Sequence, residues 1–241
     1  MSPRVRRRAA LLLIGLGLAV VLWAGVVVVW GDPFTSVYTW YEQRQLTHEL
    51  DRNTAAWAGK DRVALLRREQ LEQRRARAAT ARAATLAALA RSFGAHLGDG
   101  TPIGRIVIPA IGLNMVVVQG TDEGDLEKGP GHYDAASGAN TALPGAGGVV
   151  AVAGHRTTFL HPFRHIDSIK PGDNVYLEMP YGTFRYEVYF HKVVLPNDWS
   201  ILRPRPFEKL VLTACHPLYS ASHRWVTFAR LEGESLKVAF R

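Results

Sequence analysis

The alternation of apolar and polar positions changes period twice along the chain, and each change predicts a different kind of element. Residues 9–30, AALLLIGLGLAVVLWAGVVVVW, carry no charge over 22 positions. As a helix rising about 1.5 Å per residue they would reach roughly 33 Å, enough to cross a hydrocarbon core of about 30 Å, so the pattern predicts a membrane span. A cleavable export signal is the competing reading. Its apolar core usually runs about 7–15 residues and closes on an Ala-x-Ala-like site, whereas this segment closes on VVVVWGDP.

From about Thr35 to Leu97 the chain is rich in Ala, Arg, Glu, Gln and Leu, all good helix formers. Its apolar positions (Leu46, Leu50, Trp57, Leu65, Leu66, Leu71, Leu86, Leu89, Phe93) keep no steady heptad, and Gly59 interrupts them, so a helical stalk is expected rather than a long coiled coil. The basic run RREQLEQRRARAATAR within it reads as a solvated helical face, with anionic lipid or wall polymer as an alternative partner.

GDGTP at 98–102 ends the helical pattern. Beyond it the apolar residues come in short runs rich in Val, Ile, Tyr and Phe: IGRIVIP, NMVVVQ, GGVVAVAG, NVYLEM, TFRYEVYFHKVVL, KLVLTAC, RWVTFARL and KVAF. Runs of this kind, separated by Gly, Pro, Asn and Asp, predict an all-β barrel or sandwich. Short helices fit at TDEGDLEKG and around FLHPFRHIDSI. The expected organisation is a basic tail at 1–8, an anchor at 9–30, a helical stalk or linker at 31–100 and a β domain at 101–241.

The formal charge of +8 suits anionic surroundings. Arg4, Arg6, Arg7 and Arg8 flank the predicted span on its N-terminal side, which holds that end in the cytoplasm and sends the remainder outside. The placement accounts for part of the charge without nucleic acid.

An exported body permits disulfides, yet Cys215 is the only cysteine and has no partner within the chain. It closes the run KLVLTAC, and RWVTFARL opens nine positions on, after the eight residues HPLYSASH. If the two runs pair as antiparallel strands, Cys215 and Arg224 become neighbours at one end of the sheet, where a guanidinium lowers a thiol's pKa and offers donors to an oxyanion. A thiol nucleophile also needs an acid/base partner. His216 is adjacent, but successive strand residues point to opposite faces. His155, after the apolar run GVVAVAG, is the better candidate because it too stands at a strand end.

AGHR at 153–156, LTACHPLYSASHR at 212–224 and LEKGPGHY at 126–133 resemble the sortases of Gram-positive bacteria, and most closely their class E group. The resemblance covers roughly Ile103 to Phe240. It implies an eight-stranded β-barrel with short helices, preceded by a membrane anchor and a helical stalk. It further implies a cysteine transpeptidase that cuts a C-terminal Leu-Pro-x-Thr-Gly-type sorting signal between Thr and Gly and transfers the Thr carboxyl to a cell-wall amine. By position Cys215 would be the nucleophile, His155 the acid/base and Arg224 the oxyanion stabiliser. Partners would be signal-bearing secreted proteins, a cell-wall precursor amine and, through the anchor, membrane lipid; no metal or organic cofactor follows.

The sequence departs from the family's Thr-Leu-x-Thr-Cys signature, since Val211-Leu212-Thr213-Ala214-Cys215 stands there. Both signature threonines are replaced, which places Ala214 beside the substrate's path as an expected binding position. Tyr133, after the turn-forming Gly129-Pro130-Gly131, is expected as a wall of the substrate groove. In class E it is linked with preference for Ala over Pro at the second signal position, though Asp134 follows it here where relatives usually have proline. An L,D-transpeptidase would need an arginine two residues after the cysteine, where Pro217 stands. A degenerate barrel that binds without catalysing is the alternative from another class.

Overall fold

The computed structural model describes residues 3–30, 33–59, 78–139 and 141–236. Helix α1 (Pro3–Trp30) contains a stretch, Val5–Gly25, of mean hydropathy 2.0 with none of it buried against the rest of the chain. It is long and apolar enough to cross a membrane. Helices α2 (Pro33–Trp57) and α3 (Ala78–Gly94) follow. Most of the basic run, residues 67–77, lies outside the described residues, as do Leu65 and Leu66.

Eight strands close into a barrel among the described residues. They are β1 (Pro102–Ile108), β2 (Leu113–Gln119), β3 (Gly131–His132), β4 (Val149–Ala153), β5 (Asn174–Met179), β6 (Gly182–Val194), β7 (Lys209–His216) and β8 (His223–Leu236). Their order around the barrel is β1-β2-β3-β4-β7-β8-β6-β5. Seven of the expected runs fall on β1, β2 and β4 to β8. The eighth, KVAF, lies outside the described residues, while β3 is a strand that hydropathy does not announce. The short helix α4 (Glu123–Leu126) sits inside TDEGDLEKG, and FLHPFRHIDSI forms turns and a 3-10 helix at Ile166–Ser168.

Strand alternation sorts the side chains of β4, β7 and β8. Val150, Val152, Leu210, Leu212 and Ala214 point into the barrel, whereas Val149, Ala151 and Val211 point outward, where Tyr133, Ile201 and Leu202 partly cover them. The segment expected as a stalk is packed on the barrel where it is described. Trp57, Leu86, Leu89, Ala90 and Phe93 belong to the same buried cluster as the barrel interior, and Trp57, Phe93 and Tyr181 meet ring to ring at 5.8–6.3 Å.

The edge of β2 is finished by a side chain. Along β2, strand β3 reaches only Val118 and Gln119, so the outward N–H and C=O of Val116 lack a strand partner, and the Gln43 amide of α2 supplies one. Val116 N donates to Gln43 Oε1 at 2.8 Å and Gln43 Nε2 donates to Val116 O at 3.3 Å. Each such bond is worth about 0.5–1.5 kcal/mol net, whereas burying a Leu or Phe side chain is worth about 1.5–3 kcal/mol. Apolar contacts such as Leu46 on Val116 and Val118 therefore hold the helices down, and Gln43 satisfies the edge.

His132 on β3 is 2% exposed, and its Nε2 lies 3.1 Å from Ala142 O; a carbonyl only accepts, so the ring donates. Burial pushes this imidazole from 6.5 down to about 4. Between those values the unfolded chain binds a proton that the folded chain refuses, so stability present above pH 6.5 is lost as the pH falls toward 4. The loss through this residue amounts to about 3 kcal/mol. Denaturation midpoints measured from pH 7 to 4 will fall more steeply for the wild type than for His132→Gln, and equal slopes would assign the effect elsewhere.

Candidate active site

Strands β4 and β7 are parallel neighbours, with Ala153 opposite Thr213, and Gly154 N donates to Thr213 O at 3.1 Å. Two residues past that pair, at the same end of the barrel, stand His155, just beyond β4, and Cys215, still within β7. Strand β8 runs antiparallel to β7 in a register that places Arg224 opposite Cys215. Imidazole, thiol and guanidinium carriers thus stand in a row across three adjacent strands, although 69 positions separate the outer two in the sequence. The neighbourhood of Cys215 and Arg224 expected from the strand lengths is the observed register.

Cys215 is a free, half-buried thiol on the outward face that also carries Val211 and Thr213. His155 is half-buried, its Nε2 has no hydrogen-bond partner among the described residues, and its ring lies 5.3 Å from that of Phe159. Burial lowers its pKa below the ordinary histidine value, and the carboxylates of Glu123 and Glu127 partly offset this. A neutral imidazole with an unpartnered nitrogen is ready to take a proton. Arg224 donates from Nη1 to Ala221 O at 3.0 Å and to His223 O at 3.1 Å. Its Nε and Nη2 carry no bond among the described residues, so part of the guanidinium fork stays available to an incoming oxygen.

Gly154 is required by crowding. A Cβ there would stand 2.7 Å from the ring of Phe163, a side chain held in place as Phe163 N donates to His155 O at 3.0 Å. The loop after β4 thereby folds back under His155.

Arg156, 2% exposed, fastens that loop to β7. It donates to Arg164 O at 3.2 Å and to Asp167 Oδ2 at 2.8 Å, and its Nη1 reaches Cys215 O and His216 Nδ1 at 3.4 and 3.3 Å. Sequence reasoning does not single out this clamp; the signal open to it is an arginine immediately after the strand-end histidine.

Tyr133 lines the outward face, with its hydroxyl 2.9 Å from Thr213 Oγ1. Thr213, 2% exposed, therefore keeps a hydroxyl on the outward face of β7 in a stretch that lacks both signature threonines. Ala214 is not on that face. It is 3% exposed and part of the barrel interior, because alternation along β7 turns it away from the face of Thr213 and Cys215.

A closed eight-stranded barrel with a thiol, an imidazole and a guanidinium aligned at one end has the parts for acyl transfer through a cysteine. A family model for the sortase domain matches residues 106–232. The chain belongs to the sortase family, whose members are cysteine transpeptidases. It is 34% identical to sortase D of Bacillus subtilis (strain 168) over 135 residues, covering 54% of this chain and 64% of that protein. It is 30% identical to sortase SrtE1 of Streptomyces coelicolor over 139 residues, covering 53% and 39% respectively. The chain thus spans less than two thirds of the length of these curated relatives. Among solved structures, sortase E from Streptomyces avermitilis superposes with a TM-score of 0.51 at 33% identity, covering 58% of this chain and 93% of that one.

Proposed function

We propose that the protein is a membrane-anchored sortase that cleaves a Leu-Pro-x-Thr-Gly or Leu-Ala-x-Thr-Gly signal between Thr and Gly. The register row of His155, Cys215 and Arg224 across β4, β7 and β8 carries this reading. In it His155 takes the proton of the Cys215 thiol as the sulfur attacks the Thr carbonyl, and Arg224 donates to the oxyanion. His155 gives a proton to the departing Gly amine, leaving a Thr thioester on Cys215. A cell-wall amine then attacks the thioester, loses its proton to His155 and expels the thiolate. Each chain cut is matched by one amide bond formed.

The signal lies on the outward face of β4 and β7, walled by Tyr133, Ile201 and Leu202. In this reading the Tyr133 hydroxyl, 2.9 Å from Thr213 Oγ1, donates to it and uses a lone pair to accept the backbone N–H of an Ala at the second signal position, which Pro lacks. One such bond is worth about 0.5–1.5 kcal/mol, a preference of roughly three- to tenfold. Paired Leu-Ala-x-Thr-Gly and Leu-Pro-x-Thr-Gly peptides, supplied with an amine acceptor and followed by mass spectrometry, should both give the transpeptidation product. The kcat/KM ratio should favour Ala in the wild type and approach one in Tyr133→Phe. No cleavage of either peptide would remove the proposed reaction, whereas an unchanged ratio would remove only the role of Tyr133.

The basic residues 4–8 lie on the cytoplasmic side in this proposal, and the barrel lies outside. Protease added to intact protoplasts should digest the barrel and leave a small N-terminal fragment. A barrel protected in that assay would reverse the orientation.

A further inference from the structure

Helix α2 has two unlike faces. Thr35, Thr39, Gln43 and Leu46 recur every three or four residues and form its barrel side. Phe159 N donates to Thr35 Oγ1 at 3.4 Å, Thr39 Oγ1 donates to Glu127 O at 2.9 Å, Gln43 binds the β2 edge, and Leu46 is buried. At about 100° per residue, Val37, Trp40, Tyr41 and Arg44 fall on the opposite side.

That opposite side is open. Val37, Trp40 and Tyr41 are 66%, 57% and 53% exposed, and the Arg44 guanidinium lies over the Trp40 ring, 5.7 Å from its centroid. The same face turns polar further on, at His48, Asp51 and Arg52. Exposed apolar and aromatic groups are therefore confined to the turns nearest the span, where α1 closes at Trp30 and α2 opens at Pro33. Tyr and Trp favour the boundary between lipid and water, with the ring's apolar body toward the acyl chains. Arginine there can keep its stem in the apolar layer and its guanidinium among phosphates.

We propose that the first three turns of α2 lie in the lipid head-group layer of the membrane that α1 enters. The Val37, Trp40, Tyr41 and Arg44 face meets phospholipid, and the opposite face grips the barrel. Thr35 holds the loop that sets Phe159 against His155, and Thr39 holds the turn of Glu127. The rim of the candidate active site is thereby fixed at the lipid surface, open to substrates tethered to that membrane. The lipid contact follows from α1 and α2 alone; its meaning for substrates rests on the proposed sortase reaction.

The test uses the full chain carrying Cys215→Ala, so that an introduced cysteine is its sole thiol and the result does not depend on catalysis. Val37→Cys, Tyr41→Cys and, for comparison, Asp51→Cys are each labelled with a nitroxide, at one chain per nanodisc of phosphatidylglycerol and phosphatidylethanolamine. Collisions with oxygen, which concentrates in lipid, are compared with collisions with a water-soluble nickel chelate. The oxygen-to-nickel ratio is expected to be several-fold higher at positions 37 and 41 than at 51. Equal ratios at all three positions would overturn the proposal. So would low collision rates with both reagents at 37 and 41, the mark of a protein surface such as a second copy covering this face. If one of the two variants fails to insert, the other reads the same face.

Discussion

Cys215→Ala will abolish cleavage of sorting-signal peptides and with it the covalent adduct seen by mass spectrometry. The expectation is complete loss because the chain has no second thiol, and an acyl-enzyme needs a nucleophile on the outward face of β7. Thr213 on that face is 2% exposed and engaged with Tyr133, and Lys209 is 3% exposed with its Nζ donating to Ile201 O and Arg203 O. The substitution removes one sulfur from a half-buried position, so the barrel should melt close to the wild-type temperature, which separates lost chemistry from lost folding. Turnover persisting in this variant would end the proposed mechanism.

His155→Ala and Arg224→Ala should each lower kcat/KM by about 10²-fold or more, the usual scale for losing a positioned acid/base or an oxyanion donor. The two should differ in their pH profiles. Without His155 the limb belonging to its titration disappears, whereas without Arg224 the limbs remain and the whole curve drops. Arg224→Lys should rescue poorly, since a compact ammonium on a flexible stem cannot reproduce the planar fork in which one nitrogen binds the carbonyls of Ala221 and His223 and the other two face an incoming oxygen. Near-full activity in Arg224→Ala would exclude the oxyanion role. Arg156 could not readily assume it, because its donors face Arg164, Asp167 and the backbone of Cys215.

Strands longer than about five residues were legible because their apolar runs must cover a barrel interior. Strand β3 was not, because two residues, Gly131 and His132, pair through backbone alone and leave no hydropathy signal. The juxtaposition of Cys215 and Arg224 follows from two runs and the loop between them. By contrast, the placing of His155 depends on the parallel pairing of β4 with β7, a contact spanning some 60 positions that local patterns do not encode. Ala214 shows the hazard of carrying a motif without its register, since one step along a strand separates the outward face from the core. The helices misled in another way. The spacing of Trp57, Leu86, Leu89 and Phe93 is too irregular for a coiled coil, yet it suits packing against a curved barrel.

The Gln43 amide on the β2 edge sets where the smallest self-sufficient piece of this protein begins. A fragment cut at residue 101 would leave Val116 with an open N–H and C=O on a strand edge, the sort of template on which a second chain can add. It would also strip Trp57, Leu86, Leu89 and Phe93 from the core they share with Tyr181. The minimal folding unit therefore starts near Thr35, and shortened forms for assay or crystallisation have to keep α2 even when they discard α1.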